Sequence, residues 1–221
     1  MPDKIKSSCF LIRVQDQNNQ TIDRGTGFFI NDEGNFLSAG HVFKRQDCTY
    51  LAEIESNVYP ITTIFHEYVD QDHYTDRIYH DLVIGMVNFK SEHFLSLANE
   101  KPTISTSLNL SGFNRPDAKS KEADISIFNT YNSKVDVAGV VKVNREIDDF
   151  FQITNVIKIV EVPLYVAGLS GGPITIGNVC YGTLCTISEC LQSRYIIEKL
   201  KEFKIPFTQS ETSLNTDHND Q

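Results

Sequence analysis

The 221-residue sequence predicts an all-β protein arranged as barrels or a sandwich, with one helix near the C-terminus. Two observations predict this fold class. Apolar and β-branched runs of about four to eight residues recur along the chain, bounded by Gly, Asn, Asp and Pro. Helical patterns with a period of about 3.6 residues are almost absent before residue 189. Many short strands separated by turns usually pack as barrels or sandwiches.

About a dozen segments have strand character. In chain order they are residues 9–14, 27–30, 35–38, 50–54, 58–64, 82–89, 124–130, 135–143, 150–153, 156–162, 173–176 and 179–187. The second and third are joined by Asn-Asp-Glu-Gly at 31–34, which supplies residues that tolerate positive φ. A β-hairpin is therefore predicted there.

Polar stretches divide the chain. Residues 65–80 and 114–122 predict surface loops, and the second loop predicts a boundary between an N-terminal barrel (1–113) and a C-terminal barrel (114–187). A 3.6-residue apolar period over 189–203 predicts a helix within 188–207, with Ser188 as N-cap and Pro206 as the stop. The polar residues 208–221 predict a disordered tail.

Charge and cysteine content narrow the partners and the compartment. The formal charge of −9 repels phosphate backbones and anionic membranes, so we expect no nucleic-acid or membrane partner. No apolar run approaches the ~20 residues that cross a bilayer, and the N-terminus has no secretory signal pattern. Five cysteines without a C-x-x-C pair predict free, buried thiols and a cytoplasmic location.

Three local patterns contain residues suited to catalysis. Gly-Thr-Gly-Phe at 25–28 is followed by Ser-Ala-Gly-His-Val at 38–42, where a predicted strand ends in a turn that presents His41. Asp81 begins the apolar strand Asp-Leu-Val-Ile at 81–84. Ser170 lies in the glycine-rich turn Gly-Leu-Ser-Gly-Gly-Pro at 168–173. A serine, a histidine and an acid are the components of an acyl-transfer site.

Each residue suits one role in amide hydrolysis. The Ser170 hydroxyl is a weak nucleophile alone, and a neutral imidazole at His41 accepts its proton. Asp81 accepts the other ring N–H, which fixes the tautomer and stabilises the imidazolium. Because glycine permits unusual backbone conformations, the amides of Gly168 and Ser170 are the predicted oxyanion hole.

In this order, the three patterns resemble those of trypsin-like (chymotrypsin-fold) serine proteases, especially bacterial forms such as the high-temperature-requirement proteases. The resemblance spans roughly residues 8–205 and is dense only at the motifs. It implies two antiparallel six-stranded β-barrels and a C-terminal helix. The active site would lie in the cleft between the barrels, with His41 and Asp81 in the first barrel and Ser170 in the second.

The resemblance also implies substrate contacts. Cys185, Thr186 and Ile187 fall on the strand that pairs with substrate, and Leu164 falls near the base of the specificity pocket. With no carboxylate at that base, we expect a small or apolar residue before the scissile bond, and Ile187 narrows the entrance. Leu169 stands where secreted members usually have an Asp that pairs with a new N-terminus, so we expect no activation by N-terminal cleavage.

Three alternatives and one exclusion complete the prediction. The expected activity is that of a serine endopeptidase acting on a protein or peptide substrate, with a dedicated regulator or partner protein as a further expectation. A catalytically silent protease-like fold that binds a partner, or hydrolysis of small esters, remains open. His66, Glu67, Asp70, Asp72 and His73 match no metal-ligand spacing, so we expect no metal and no organic cofactor.

Overall fold

The computed structural model describes residues 2–69, 80–104, 106–113, 136–147, 149–155, 168–186 and 189–210. Its helices are Pro2–Ser8 (α1) and Ser193–Glu202 (α2), with a 3₁₀ turn at Gly40–Phe43. Its strands are Cys9–Gln15 (β1), Thr21–Phe29 (β2), Asn35–Ser38 (β3), Thr49–Ile54 (β4), Asn57–Glu67 (β5), Leu82–Val87 (β6), Ser96–Ala98 (β7), Ser107–Gly112 (β8), Asp136–Ile147 (β9), Phe150–Asn155 (β10), Pro173–Ile176 (β11), Val179–Leu184 (β12), Glu189–Gln192 (β13) and Gln209–Ser210 (β14). Neither of these helices is long and apolar enough to cross a bilayer.

The first barrel closes in the order β1-β2-β3-β6-β5-β4, with antiparallel pairing throughout. Closure pairs the edge strands, which would otherwise expose unsatisfied backbone groups. Phenylalanine rings fill the interior, and Phe10 packs edge-on against Phe36 with ring centroids 5.1 Å apart. Gly27 is opposite Phe10 in the β1–β2 register, and the Phe10 ring occupies the space that a side chain at Gly27 would need. Ring packing therefore depends on this glycine.

The second sheet also closes into a ring. Its strands run β11-β8-β9-β10-β13-β12, and an additional pairing between β11 and β12 joins the two ends. Strands β7 and β14 extend the sheet in parallel from β12. A mostly-β chain with two such antiparallel barrels confirms the predicted fold class.

Several predicted boundaries differ from the structure. Strands β7 and β8 lie inside the 1–113 segment assigned to the first barrel, yet they hydrogen-bond into the second sheet. A polar, proline-containing stretch after β8 indicates a break in regular structure but not which sheet the preceding strand joins. The division into domains itself stays a prediction. The candidate strands at 124–130 and 156–162 lie outside the described residues.

The C-terminal helix is shorter than the apolar period predicts. It begins at Ser193 with Gln192 in the N-cap position, and predicted N-cap Ser188 lies outside the described residues. Residues 189–192 form β13 instead, because pairing with β10 and β12 outweighs local helical preference.

The predicted disordered tail is wrong at its start, where β14 pairs with β7 and extends the second sheet.

Four of the five cysteines are buried. Cys9, Cys180, Cys185 and Cys190 are at most 8% exposed, whereas Cys48 is partly exposed, and all five thiols are free. Burial raises the pKa of Cys180 to about 12 and raises the pKa values of Cys9, Cys185 and Cys190 as well. A raised pKa keeps a thiol protonated, and only the thiolate is strongly nucleophilic. The prediction of free thiols is confirmed, and the prediction of burial holds for these four but is wrong for Cys48, which is partly exposed.

We predict that one thiol per native chain reacts quickly with an aromatic disulfide reagent at pH 8, and that all five react after denaturation. The four buried thiols react slowly because their raised pKa values leave almost no thiolate at this pH. Absorbance kinetics measure the fast amplitude. The Cys48→Ser variant should lose the fast phase. Two or more rapidly reacting thiols per native wild-type chain would contradict the burial of the other four.

The predicted hairpin between β2 and β3 is confirmed. Asn31 Oδ1 accepts hydrogen bonds from the backbone amides of Glu33 (3.1 Å) and Asn35 (3.0 Å). Gly34 has φ +87°, and a Cβ there would overlap the carbonyl oxygen of Val87. The turn therefore requires glycine both for its backbone conformation and for its contact with β6.

We predict that Gly34→Ala lowers the free energy of unfolding by about 2–4 kcal/mol, through backbone strain and overlap with a carbonyl that cannot move aside. Gly177 is the matched control, because it also has positive φ (+55°) but has open space around its Cβ position. Gly177→Ala should cost only about 1 kcal/mol. Urea unfolding measures both values, and equal losses would show that the overlap at Gly34 is unimportant.

Candidate active site

His41 is presented by the end of a first-barrel strand. Strand β3 ends at Ser38, and the 3₁₀ turn that follows holds His41 with its side chain 28% exposed. The neighbouring Val42 and Phe43 are buried and anchor the turn in the barrel core. A Cβ on Gly40 would overlap the carbonyl oxygen of Glu67, so the turn lies directly on β5. The motif Ala-Gly-His-Val thus leaves the imidazole accessible on a fixed backbone.

Asp81 holds both the backbone and the ring of His41. It stands immediately before β6 and is 6% exposed. Its Oδ1 accepts a hydrogen bond from the His41 amide at 2.6 Å, and its Oδ2 lies 2.7 Å from His41 Nδ1. An ionised carboxylate only accepts hydrogen bonds, so Nδ1 carries the proton and Nε2 is left as an acceptor. The structure brings these two predicted residues together.

A cysteine of the second barrel contacts the backbone of Asp81. Cys185 Sγ lies 3.6 Å from the backbone carbonyl oxygen of Asp81, at a site where Cys185 is 5% exposed. Burial first, and then the charge of Asp81, raise the pKa of the Cys185 thiol. The thiol therefore stays protonated and donates a weak hydrogen bond across the barrel interface. One predicted substrate-contacting residue consequently lies beside the His41–Asp81 pair.

The Ser170 turn has the backbone conformation that its glycines permit. Gly168 and Gly171 both have positive φ, at +96° and +85°. The Gly171 amide donates to the Leu184 carbonyl at 2.8 Å, which ties the turn to β12. A Cβ on Gly171 would overlap Ser38 Oγ and come within 2.7 Å of the Ala39 nitrogen. The turn therefore packs against the chain segment that leads into His41.

The residue between the glycine and the serine fills the core. Leu169 is fully buried, in a cluster that includes Leu110, Ile174 and Tyr181. A side chain in this position anchors the middle of the turn by apolar packing. Leu169 has no charge that could pair with a liberated N-terminus, and the absence of activation by N-terminal cleavage stays a prediction.

Ser170 and its predicted oxyanion donors are not hydrogen-bonded to described acceptors. Within the part of the chain that the structure describes, the Ser170 hydroxyl forms no hydrogen bond, including none with the His41 ring. Over the same residues, the amides of Gly168 and Ser170 donate to no backbone carbonyl. Two amides beside a serine, neither of them bonded to a described acceptor, are the donors that a tetrahedral oxyanion needs. Serine-to-histidine hydrogen bonds are often long without substrate.

The predicted substrate-binding segment is described only in part. Leu164 and Ile187 lie outside the described residues. The amides of Cys185 and Thr186 both donate to the Glu189 carbonyl, at 2.9 and 3.2 Å. These amides are therefore not free to pair with a substrate strand in this structure, a constraint that spacing alone does not indicate.

The sequence prediction missed two contacts that support the site. His66 and Glu67 fall in the predicted loop 65–80, but the structure places both at the end of β5, and His66 Nε2 lies 3.0 Å from the Gly40 carbonyl oxygen. Thr26, in the Gly-Thr-Gly-Phe motif, hydrogen-bonds to Gly168 and Ser170. The position of Thr26 between two glycines was the only sign in the sequence that this residue lies in a close contact.

Among the described residues, no group of three or more His, Cys, Asp or Glu side chains is arranged to hold a metal.

Two solved structures resemble this fold over nearly its whole length. The serine endoprotease from Yersinia pestis matches with a TM-score of 0.61 and 12% sequence identity, covering 92% of this chain and 66% of that chain. The Rv3671c protease from M. tuberculosis, in its active form, matches with a TM-score of 0.63 and 14% identity, covering 94% and 86%. The sequence matches no protein-family model and no curated protein. The likeness establishes a chymotrypsin-like protease fold, and it does not extend to the activity.

Proposed function

We propose that this protein is a serine endopeptidase that cleaves protein substrates through an acyl-enzyme on Ser170. The observation that carries the proposal is the buried Asp81 carboxylate, which fixes both the His41 amide and the His41 ring. A carboxylate that only stabilised the turn would need the backbone bond alone. The protease fold shared with an endoprotease from Yersinia pestis supports the same reaction class.

The first step is attack by Ser170 on a substrate carbonyl carbon. His41 Nε2 takes the hydroxyl proton as the Ser170 Oγ–carbon bond forms, and Asp81 stabilises the resulting imidazolium through Nδ1–H. The amides of Gly168 and Ser170 donate to the oxyanion. His41 then gives the proton to the leaving amine as the carbon–nitrogen bond breaks. Water activated by His41 hydrolyses the ester and restores the free serine.

One observation favours a second candidate. The Ser170 hydroxyl is not hydrogen-bonded to His41 in the described structure. A protease-like fold that binds a protein partner without cutting it would also show this arrangement. The endopeptidase proposal requires the hydrogen bond to form when a substrate carbonyl docks, as catalytic hydrogen bonds often tighten only in the substrate complex.

Substrate preference remains part of the proposal. We propose a small or apolar residue before the scissile bond, in a pocket that includes Leu164 and Ile187. The described residues neighbouring Ile187 include the uncharged Cys185 and Thr186. A buried apolar pocket binds a matching apolar side chain and disfavours a charged one, because the charge would lose its hydration without a partner.

We predict that a fluorophosphonate probe labels the wild-type protein at Ser170 and that Ser170→Ala abolishes the label. Only a serine whose proton is removed by a base reacts readily with this probe. Ser107→Ala is the matched control, since Ser107 is an exposed serine on β8 and its loss should not affect labelling. Peptide mass spectrometry locates the adduct. An unlabelled wild type, with native stability, would favour the silent binding fold.

We predict that Asp81→Asn lowers kcat by about 10³- to 10⁴-fold with little change in KM. The Asn oxygen can still accept the His41 amide, but its NH₂ group would face Nδ1. The favoured tautomer then carries its proton on Nε2, which can no longer accept one from Ser170.

The matched control for this change is Asp149→Asn. Asp149 also contacts a histidine, with Oδ2 3.1 Å from His80 Nε2, but it is not in contact with His41. It should retain kcat within about twofold. Steady-state hydrolysis of a peptide substrate measures both variants. Similar losses in the two would mean that Asp81 acts through general stability and not through the His41 tautomer.

A further inference from the structure

Thr26 makes four hydrogen bonds at the point where the two barrels meet. It lies in β2 and is fully buried. Its amide donates to the Ser170 carbonyl at 2.9 Å, and its hydroxyl donates to the Gly168 carbonyl at 2.7 Å. The same hydroxyl accepts from the Phe113 amide at 3.0 Å, and the Thr26 carbonyl accepts from Ser38 Oγ at 2.8 Å. One residue therefore joins the Ser170 turn, the linker from β8 and the strand before His41.

Two of these bonds fix the turn on both sides of Leu169. The Gly168 carbonyl belongs to the peptide group before Leu169, and the Ser170 carbonyl belongs to the peptide group after Ser170. The Ser170 amide lies in the peptide group between them. Tying both flanks to Thr26 limits rotation of that central group. Gly168 has no Cβ to restrict its own backbone rotation, so the hydrogen bond from Thr26 removes more conformational freedom there than it would at another residue.

We propose that Thr26 is a positioning residue whose hydroxyl keeps the Ser170 amide aimed at the oxyanion. This inference rests on the proposed peptidase function for its catalytic consequence. The Thr26 side chain touches neither substrate nor reacting atoms in this role. It acts through the Gly168 carbonyl, from the barrel that carries His41, and so it holds the two halves of the site in register.

Burial makes the hydroxyl difficult to replace. Without it, the Gly168 carbonyl loses its donor and the Phe113 amide loses its acceptor, both in a region closed to solvent. A buried polar group without a partner is costly, so the peptide group at Gly168–Leu169 would turn to find another donor. That rotation moves the adjoining Ser170 amide away from its position in the turn.

The test compares Thr26→Val, which keeps the branched shape and removes the hydroxyl, with Thr26→Ser, which keeps the hydroxyl. The matched control is Thr175→Val in β11. Thr175 is also fully buried, but its hydroxyl has no hydrogen-bond partner among the described residues. Valine should therefore be tolerated at 175 without loss of activity.

We expect Thr26→Val to lower kcat by about 10- to 100-fold with KM within about twofold, because a misplaced amide weakens transition-state binding more than ground-state binding. Thr26→Ser should retain kcat within about threefold, and Thr175→Val should match the wild type. If Thr26→Val does not fold, Thr26→Ala replaces it, and we expect its kcat to be lower than that of Thr26→Ser and of Thr175→Val.

Amide hydrogen exchange separates this proposal from the proposed function. The Gly171 and Gly172 amides are hydrogen-bonded in the native turn, so their exchange reports its order without any turnover. Exchange there should be about tenfold faster in Thr26→Val than in Thr26→Ser or Thr175→Val. Equal exchange in all three would overturn the positioning role, even if the protein is a peptidase. A protein without hydrolytic activity but with this exchange difference would overturn only the peptidase function.

Discussion

The close contact between the Ser170 turn and the first barrel is the constraint on which the candidate site depends. Gly171 leaves no room for a side chain against Ser38 and the Thr26 carbonyl, so the two barrels meet there backbone to backbone. A Cβ at this position would overlap Ser38 Oγ and the Thr26 carbonyl oxygen, so a larger residue would push the Ser170 turn away from the first barrel. Ser170 and His41 come from distant parts of the chain, and this contact sets how near to each other they lie.

The His41–Asp81 pair is rigid for a related reason. Asp81 is buried and uses both carboxylate oxygens on His41, while Gly40 lets the turn rest on the Glu67 carbonyl. Apolar packing of Val42 and Phe43 opposes any lifting of the turn. The His41 ring is held by one hydrogen bond, on a backbone that the same carboxylate also fixes, so it loses little further entropy when it reacts.

A second cluster connects this region to the C-terminal helix. His80, the residue before Asp81, stacks on Tyr195 of α2 with ring centroids 3.9 Å apart, and its Nδ1 lies 3.4 Å from Glu67. The Tyr195 hydroxyl donates to Glu67, and burial together with this acceptor raises the pKa of Tyr195. The helix therefore packs through Tyr195 against His80, the residue that leads into Asp81 and β6.

The sequence by itself determined the all-β class, the hairpin at 31–34, the burial of four of the five cysteines and the residue types of the candidate site. These features follow from composition and from local patterns that are visible within one short segment of the sequence. The sequence did not determine that residues 189–192 form a strand, that β7 and β8 join the second sheet, or that Thr26 bridges the barrels. Those features arise from pairing between segments far apart in the chain. Only the tertiary structure decided them, because hydrogen-bonding partners supplied by distant strands outweigh local preference.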